Sequence, residues 1–340
     1  MRSFMFLAMS PAGRLRRSRR SCAVALGALL ALGMLSVPLQ AAAFPDKPIR
    51  LVVPFPPGGA VDFFARVVQP ALAETLGQPI VIENKGGAGG MVGAGAVAQA
   101  APDGHTLLIG NIASLAINVG IYPKMPYDPR KDFTHIVRTV DVHYVMAVHP
   151  SVPARTVPEF VAYAKAQGGK LAYGSAGNGS LPHLGTELLK SMTGTQMTHV
   201  PYKGGGPMVT DLLGGQIQLA IGDQANLMPH VQTGKLRALA VATARRAPSL
   251  PDIPTVAETL PSFEATAWQG VAGPAGLPPE VTRKLNESFN RVMTLPAVRD
   301  KLLAAGLVPV GGTPEQFSRF IDSEIVKWTR IAREVGATAD

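Results

Sequence analysis

Short apolar runs, each followed by a turn and then by a helix-like stretch, recur along this chain and constrain its fold more than any other feature. The runs are IRLVV, PIVIE, HTLLIG, YVMAVH, LAYGS, QIQLAIG and LRALAVA, with helical stretches between them and over residues 278–305. Runs of this length, rich in β-branched residues and bounded by Gly and Pro, read as buried strands. Their alternation with helices is the rhythm of an α/β protein with mainly parallel strands. Helix starts are marked too. Thr313 as N-cap, Pro314 at the first helical position and Gln316 three residues on make a capping box; Phe317, Phe320, Ile321, Ile325 and Trp328 then share a face that must pack on a core. Thr156 and Glu159 repeat the device after YVMAVHP. The chain is expected to cross between domains near residues 145–150 and to return near 243–265, a proline-rich segment.

Residues 1–43 read as an export signal. An arginine-rich segment precedes an apolar run from Cys22 to about Val37, and small residues follow, so cleavage is expected after Ala43 or Ala41. The alternative, a membrane anchor, fits less well, because the run is shorter than the ~20 residues a spanning helix needs. SRRSC leaves both the Sec and the twin-arginine route open, and both lead to the periplasm. Removing the segment takes six arginines and no acid, so the formal charge of +9 falls to +3. The basic character therefore belongs mostly to the signal, and no basic stripe remains to bind nucleic acid. Cys22, the single cysteine, goes with the signal, so the mature chain can form no disulfide or thiolate site.

Catalytic patterns are missing. There is no phosphate loop with its Lys and Ser/Thr pair, and GAGAVA at residues 93–98 lies too far beyond its strand for a dinucleotide site, which favours close helix packing. Tyr173 stands where a nucleophile elbow around Ser175 needs glycine. The histidines have no metal-site spacing, and His135 and His143 read as structural. No cofactor and no metal are expected.

Glycine-rich turns recur instead: PFPPGGAVD, ENKGGAGGMVGAG, IGNIASLAIN, YGSAGNGSLPHLG and VPYKGGGPMVTDLLGG. The first runs from Val52 and Val53 into a helix carrying Val61, Phe64, Ala65 and Val68. A strand-to-helix turn of this kind points free N–H groups and a positive helix pole at an anion. Ser175, Gly177, Gly179 and Ser180 before LPHLGTELLKSM offer a second such pole. Open α/β sheets bind ligands beyond the carboxyl ends of their strands, where these loops fall, and two opposed poles suit a small carboxylate.

Taken together and in order, FPDKPIRLVVPFPPGGAVDFFARVV, LGQPIVIENKGGAGGMVGAGAVAQAAPDGHTLLIG, YGSAGNGSLPHLG, VPYKGGGPMVTDLLGGQIQLAIGD, GKLRALAV and LPDIPTVAE resemble the Bug receptors, the TctC-like periplasmic solute-binding proteins of tripartite tricarboxylate transporters. The resemblance spans essentially the whole mature chain. It implies a two-domain Venus-flytrap fold with the ligand cleft between domains: a signal over 1–43, domain 1 from 44–145, domain 2 from 146–243, and a return crossing with the rest of domain 1 over 244–340. It further implies a monomer that is not an enzyme, binds a small organic acid or amino acid, and delivers it to membrane permease subunits. A periplasmic sensor, or an α/β enzyme acting on a small acid, is the alternative.

Carried onto this sequence, the resemblance makes Phe55, Gly58, Gly59 and Asp62 the first-domain anion loop, with Asp62 either touching ligand or complementing its own helix dipole. Ser114 and Asn118 match a first-domain contact segment, although INVG lacks the proline expected after the Asn. Ser175, Gly177, Gly179, Ser180 and His183 match the second-domain loop, with His183 an orienting donor, a wall or a core histidine. Tyr202, Lys203 and Gly204 border the cleft, Lys203 attracting anions or simply solvated; Asp223 faces the mouth, repelling a second carboxylate or accepting an amine.

Overall fold

The computed structural model describes residues 44–338. The expected export signal, with Cys22 and both candidate cleavage points, lies outside them.

The first sheet starts with β1 (Ile49–Val53), α1 (Ala60–Leu76), β2 (Ile80–Asn84), α2 (Met91–Ala98) and β3 (Thr106–Asn111). A π-helical turn over Ala113–Ile117 runs into the short α3 (Asn118–Ile121), and β4 (Phe133–Val142) follows. After His143 alone, β5 (Tyr144–Val148) opens a second sheet. It continues through α4 (Val157–Gln167), β6 (Ala172–Ser175), α5 (Leu181–Thr193), β7 (Thr198–Pro201), α6 (Gly205–Leu213), β8 (Leu219–Asp223), α7 (Gln224–Gln232) and β9 (Arg237–Val241). The chain then rejoins the first sheet with β10 (Ala267–Pro274), α8 (Pro279–Thr294), α9 (Pro296–Ala304), β11 (Leu307–Pro309) and α10 (Pro314–Glu334). The sheet orders are β11-β4-β10-β3-β1-β2 and β7-β6-β8-β5-β9.

The expectation of mainly parallel strands needs correction. β1 pairs in parallel with β2 and β3, and β6 with β7 and β8, but β10 is antiparallel to β3 and β4, β11 to β4, and β5 to β8 and β9. The reason is connectivity. A parallel neighbour needs a helical crossover, whereas β5 and β10 enter their sheets from the other lobe without one. The two passages lie side by side. Val142 is in register with Ala267, Ala242 N donates to Tyr144 O (2.8 Å), and Ala265 N donates to Ala242 O (2.9 Å).

α10 is the clamp of the first lobe. Its capping box forms as the sequence predicts, Thr313 Oγ1 accepting from Gln316 N and Gln316 Oε1 from Thr313 N. At α4, Thr156 caps Glu159 N, but the Glu159 carboxylate takes the N–H of Arg155 instead. Phe317, Ile321, Ile325 and Trp328 are buried against the sheet, and a Cβ at Gly270 would overlap the Phe317 ring, so glycine lets the helix close on β10. Within this apolar layer the buried carboxylate of Glu324 accepts from Trp268 Nε1 (2.8 Å) and Trp328 Nε1 (2.9 Å). A buried carboxylate is costly unless hydrogen-bonded, and here two indoles meet it.

Candidate functional site

The first anion loop is held from beneath. β1 is buried up to Pro54, and Phe55 O accepts from Asn84 Nδ2 (3.1 Å) at the end of β2. The Asp62 carboxylate, buried in the first turn of α1, accepts from Gly58 N (2.9 Å), Arg66 Nε (2.9 Å) and Asn84 Nδ2 (2.9 Å). The Arg66 guanidinium, helped by the bonds from Gly58 and Asn84 and opposed by burial, holds its pKa down at about 2. Asp62 is thus a staple that fixes the turn. Its bond also uses the Gly58 amide, so that donor is not aimed at ligand. Exposed donors remain at the helix start: Gly59 begins α1 with no side chain capping it, and the first N–H groups of a helix have no acceptor within it.

Ser114 and Asn118 stand behind this loop. Ser114 is fully buried; its Oγ accepts from Asn111 N (3.1 Å), and its carbonyl accepts from Tyr127 OH (2.6 Å). Asn118 Nδ2 donates to Gly89 O (3.1 Å). Glycine at 90 leaves room for the Phe55 ring on one side and Ser114 on the other. Gly93 in GAGAVA lies against Pro54 and Lys85 O so closely that a Cβ would overlap both, which is the close helix packing the sequence predicts.

The second loop is built on imidazoles. Ser175 is fully buried, its Oγ 2.6 Å from His199 Nε2 and 3.1 Å from Gly177 O. Gly179 N donates to His183 Nδ1 (3.1 Å), so this nitrogen accepts and the neutral ring's donor is Nε2. Ser180 Oγ turns back to Gly177 O (2.6 Å), leaving the first N–H groups of α5 uncapped by a side chain. Gly177 at φ +123° and Gly179 at φ +69° adopt backbone that other residues enter with strain. His183 and His199 stack, with Tyr173 on the far face of His199. Burial lowers both histidine pKa values, that of His199 to about 4, with the neighbouring His183 adding to the effect there.

The second loop meets the first lobe. A Cβ at Gly179 would strike Ile121 in α3, so the second-lobe loop lies against the helix that carries Asn118. Tyr202 N donates to Ser175 O (3.0 Å), while its hydroxyl donates to Asp211 Oδ2 (2.7 Å). Lys203 is exposed, and Gly204 starts α6 at φ +104°. Asp223 caps α7, accepting from Asn226 N (3.0 Å) and Nδ2 (2.8 Å). It lines two adjoining cavities between the lobes, of about 120 and 260 Å³, with Ala60 of the first loop and Leu307 of β11. Among the described residues neither cavity is lined by Lys, Arg or His.

Sequence reasoning missed five residues here. His199 precedes the VPYKG signal on a strand too short and too exposed to read as one, whereas Asn111, Tyr144, Trp268 and Gln269 meet at the inner cavity from three separate strands. No local pattern links them.

The family model of the tripartite tricarboxylate transporter family receptor matches residues 64–337. The chain belongs to that receptor family. This receptor is 38% identical to protein BugT of Bordetella pertussis over 314 residues, covering 92% of this chain and 96% of BugT. It is similar to a solved R. palustris protein with adipate (37% identity, TM-score 0.77, covering 87% of this chain and 99% of that one). It is likewise similar to MatC from Rhodopseudomonas palustris with bound malate (34% identity, TM-score 0.73, 85% and 99% covered). Its two α/β lobes are those of the two-domain Venus-flytrap fold, with the cleft between them.

Proposed function

We propose that this receptor captures a small carboxylate between its lobes in the periplasm and delivers it to the permease of a tripartite tricarboxylate transporter, without catalysing a reaction. One observation supports the reading most: two helix starts beside glycine-rich turns, Gly59 of α1 and Ser180 of α5, are capped by no side chain. Backbone donors and helix poles meet an anion there without a cationic side chain. The relatives holding adipate and malate support the same ligand class. In this reading domain 1 holds the first sheet and domain 2 the second, the chain crossing at His143 rather than after residue 145 and returning before β10, and residues 1–43 direct export. The proposed ligand contacts are the Gly59 amide and the uncapped first turn of α5 after Ser180, with Phe55, Asp62, Ser114, Asn118, Ser175, Gly177, Gly179 and His183 supporting them and Tyr202, Lys203, Gly204 and Asp223 at the border. Ligand bound to both lobes would stabilise a closed monomer, the form a permease reads.

A thermal-shift panel of dicarboxylates, amino acids and aromatic acids tests this. A binding acid at about 100 times its Kd should stabilise the fold by about 2.7 kcal/mol. A panel without one stabilising member overturns the reading.

A further inference from the structure

Phe44 sits in a seat made by other parts of the first lobe. Its half-buried ring meets His105 edge-on, centroids 5.0 Å apart, and a Cβ at Gly104 would overlap both this ring and Val281 of α8. Glycine there, at φ +85°, leaves the room that Phe44 fills. The Phe44 carbonyl accepts from Lys284 Nζ (2.7 Å), and Lys47 Nζ donates to Asp103 Oδ2 (3.0 Å). The ends of a domain are poorly ordered unless tied down, and this segment is tied at ring, carbonyl and side chain.

Phe44 also lines a cavity of about 320 Å³ with Glu280, Val281, Arg283, Lys284 and Glu287 of α8. The two acids flank Lys284 on one helix face, four residues before it and three after. Arg283 reaches Glu287 (3.3 Å) and Lys284 holds the Phe44 carbonyl, whereas Glu280 has no ion pair among the described residues. Only Cα and the carbonyl carbon separate the Phe44 nitrogen from that carbonyl oxygen, so the nitrogen too stands at this cavity. An ammonium there would be repelled by Arg283 and Lys284, whose charges are already engaged, and attracted by Glu280.

Resting on the reading of residues 1–43 as an export signal, we infer that Phe44 is the first residue of the mature receptor and that its α-ammonium pairs with Glu280, docking the new N-terminus on α8. A signal peptidase adds water across the Ala43–Phe44 amide, leaving a carboxylate on Ala43 and an ammonium on Phe44. Ala41 and Ala43 supply the small residues that such an enzyme reads. Cleavage after Ala41 would instead leave Ala42 and Ala43 ahead of Phe44 and carry the charge away from Glu280.

Receptor expressed with its signal and recovered from the periplasm should have the intact mass of a chain starting at Phe44. At pH 7, acylation of its α-amine, read on the N-terminal peptide by mass spectrometry, should run roughly threefold or more slower than in a chain extended by Ala42 and Ala43, because an ion pair keeps the amine protonated. Glu280→Gln should restore most of that rate while the lysine amines react as before, which separates pairing from crowding. A mature chain starting elsewhere overturns the inference and leaves the export reading standing; an uncleaved chain overturns both. An α-amine at Phe44 that reacts as fast as the extended one, or that ignores Glu280→Gln, also overturns the inference.

Discussion

The imidazoles of His183 and His199 lie face to face, centroids 4.0 Å apart and planes 6° from parallel, beneath the loop that presents Gly177 and Gly179. Two rings in that arrangement cannot both carry a proton without repulsion. His183 must moreover keep Nδ1 unprotonated to accept from Gly179.

That stack sets an acid limit. Both pKa values are lowered by burial, so below the ordinary histidine value of about 6.5 the unfolded chain binds protons that the folded chain refuses. Stability from this site is complete above about 6.5 and declines as pH falls toward about 4, the value for His199. Glu187 and Lys190 of α5 and Tyr173 of β6 face the pair, and Glu187 partly counters the shift. Thermal melts from pH 7.5 to 4 should therefore fall steeply for the parent and more gently for His199→Gln. Equal slopes would remove the histidine pair from the account.

Asp62 makes three bonds to the first loop and its surroundings, and bonds to a charged group are each worth about 1.5–3 kcal/mol. Asp62→Ala should destabilise by at least about 2 kcal/mol in urea and weaken ligand binding, because the turn loses its staple. Its folded pKa of about 2 lies below the ordinary value, so its contribution is present above about pH 4 and is lost as pH falls through 2. A variant with unchanged urea midpoint and affinity would contradict this.

The chain's only two tryptophans both donate to Glu324, but only Trp268 lines the inner cavity. Ligand should shift intrinsic fluorescence in the parent and in Trp328→Phe, and leave Trp268→Phe nearly silent. A response that survives loss of Trp268 places the ligand elsewhere.

Gly59 has φ −84°, close to the value proline imposes, and among the described residues no acceptor meets its N–H. Gly59→Pro should therefore fold with little change in melting temperature and lose carboxylate affinity at least tenfold. Retained affinity in the folded variant would rule out backbone donation from this helix start.

Lys203 is exposed at the border, whereas the Ser180 hydroxyl is spent on Gly177 O. Rim charge steers encounter more than it holds the complex. In stopped-flow measurements Lys203→Ala should slow association and flatten its salt dependence. Ser180→Ala should instead loosen the loop and speed dissociation, at a cost of about 0.5–1.5 kcal/mol. A large rise in the dissociation rate for Lys203→Ala alone would mean a buried ion pair.

The parallel strands β1, β2, β3, β6 and β8 were legible because buried strands read as continuous apolar runs. β10 was not: AWQGVAGP is broken by Gly270, Gly273 and Pro274, residues that disfavour strands, and Phe317 and Leu277 fill the space beside those glycines. Strand direction was hidden as well, since side-chain period is the same in parallel and antiparallel pairs. At the site, glycines announced both anion loops, but which groups support and which face outward depends on contacts far apart in sequence, such as Asn84 to Asp62 and His199 to Ser175.

The chain passes between the lobes twice, at His143 and at Ala265–Ala267, and the passages are bonded to each other rather than separate. Two strands held side by side can bend about a line across both, whereas sliding would break their register. They act as a door hinge rather than a ball joint. In the proposed closure Gly59 and Gly179 would therefore travel one arc to one offset, set by this strap of backbone. Lengthening either passage by one residue should disturb that offset, and with it the length of acid the receptor can grip, before it disturbs either lobe.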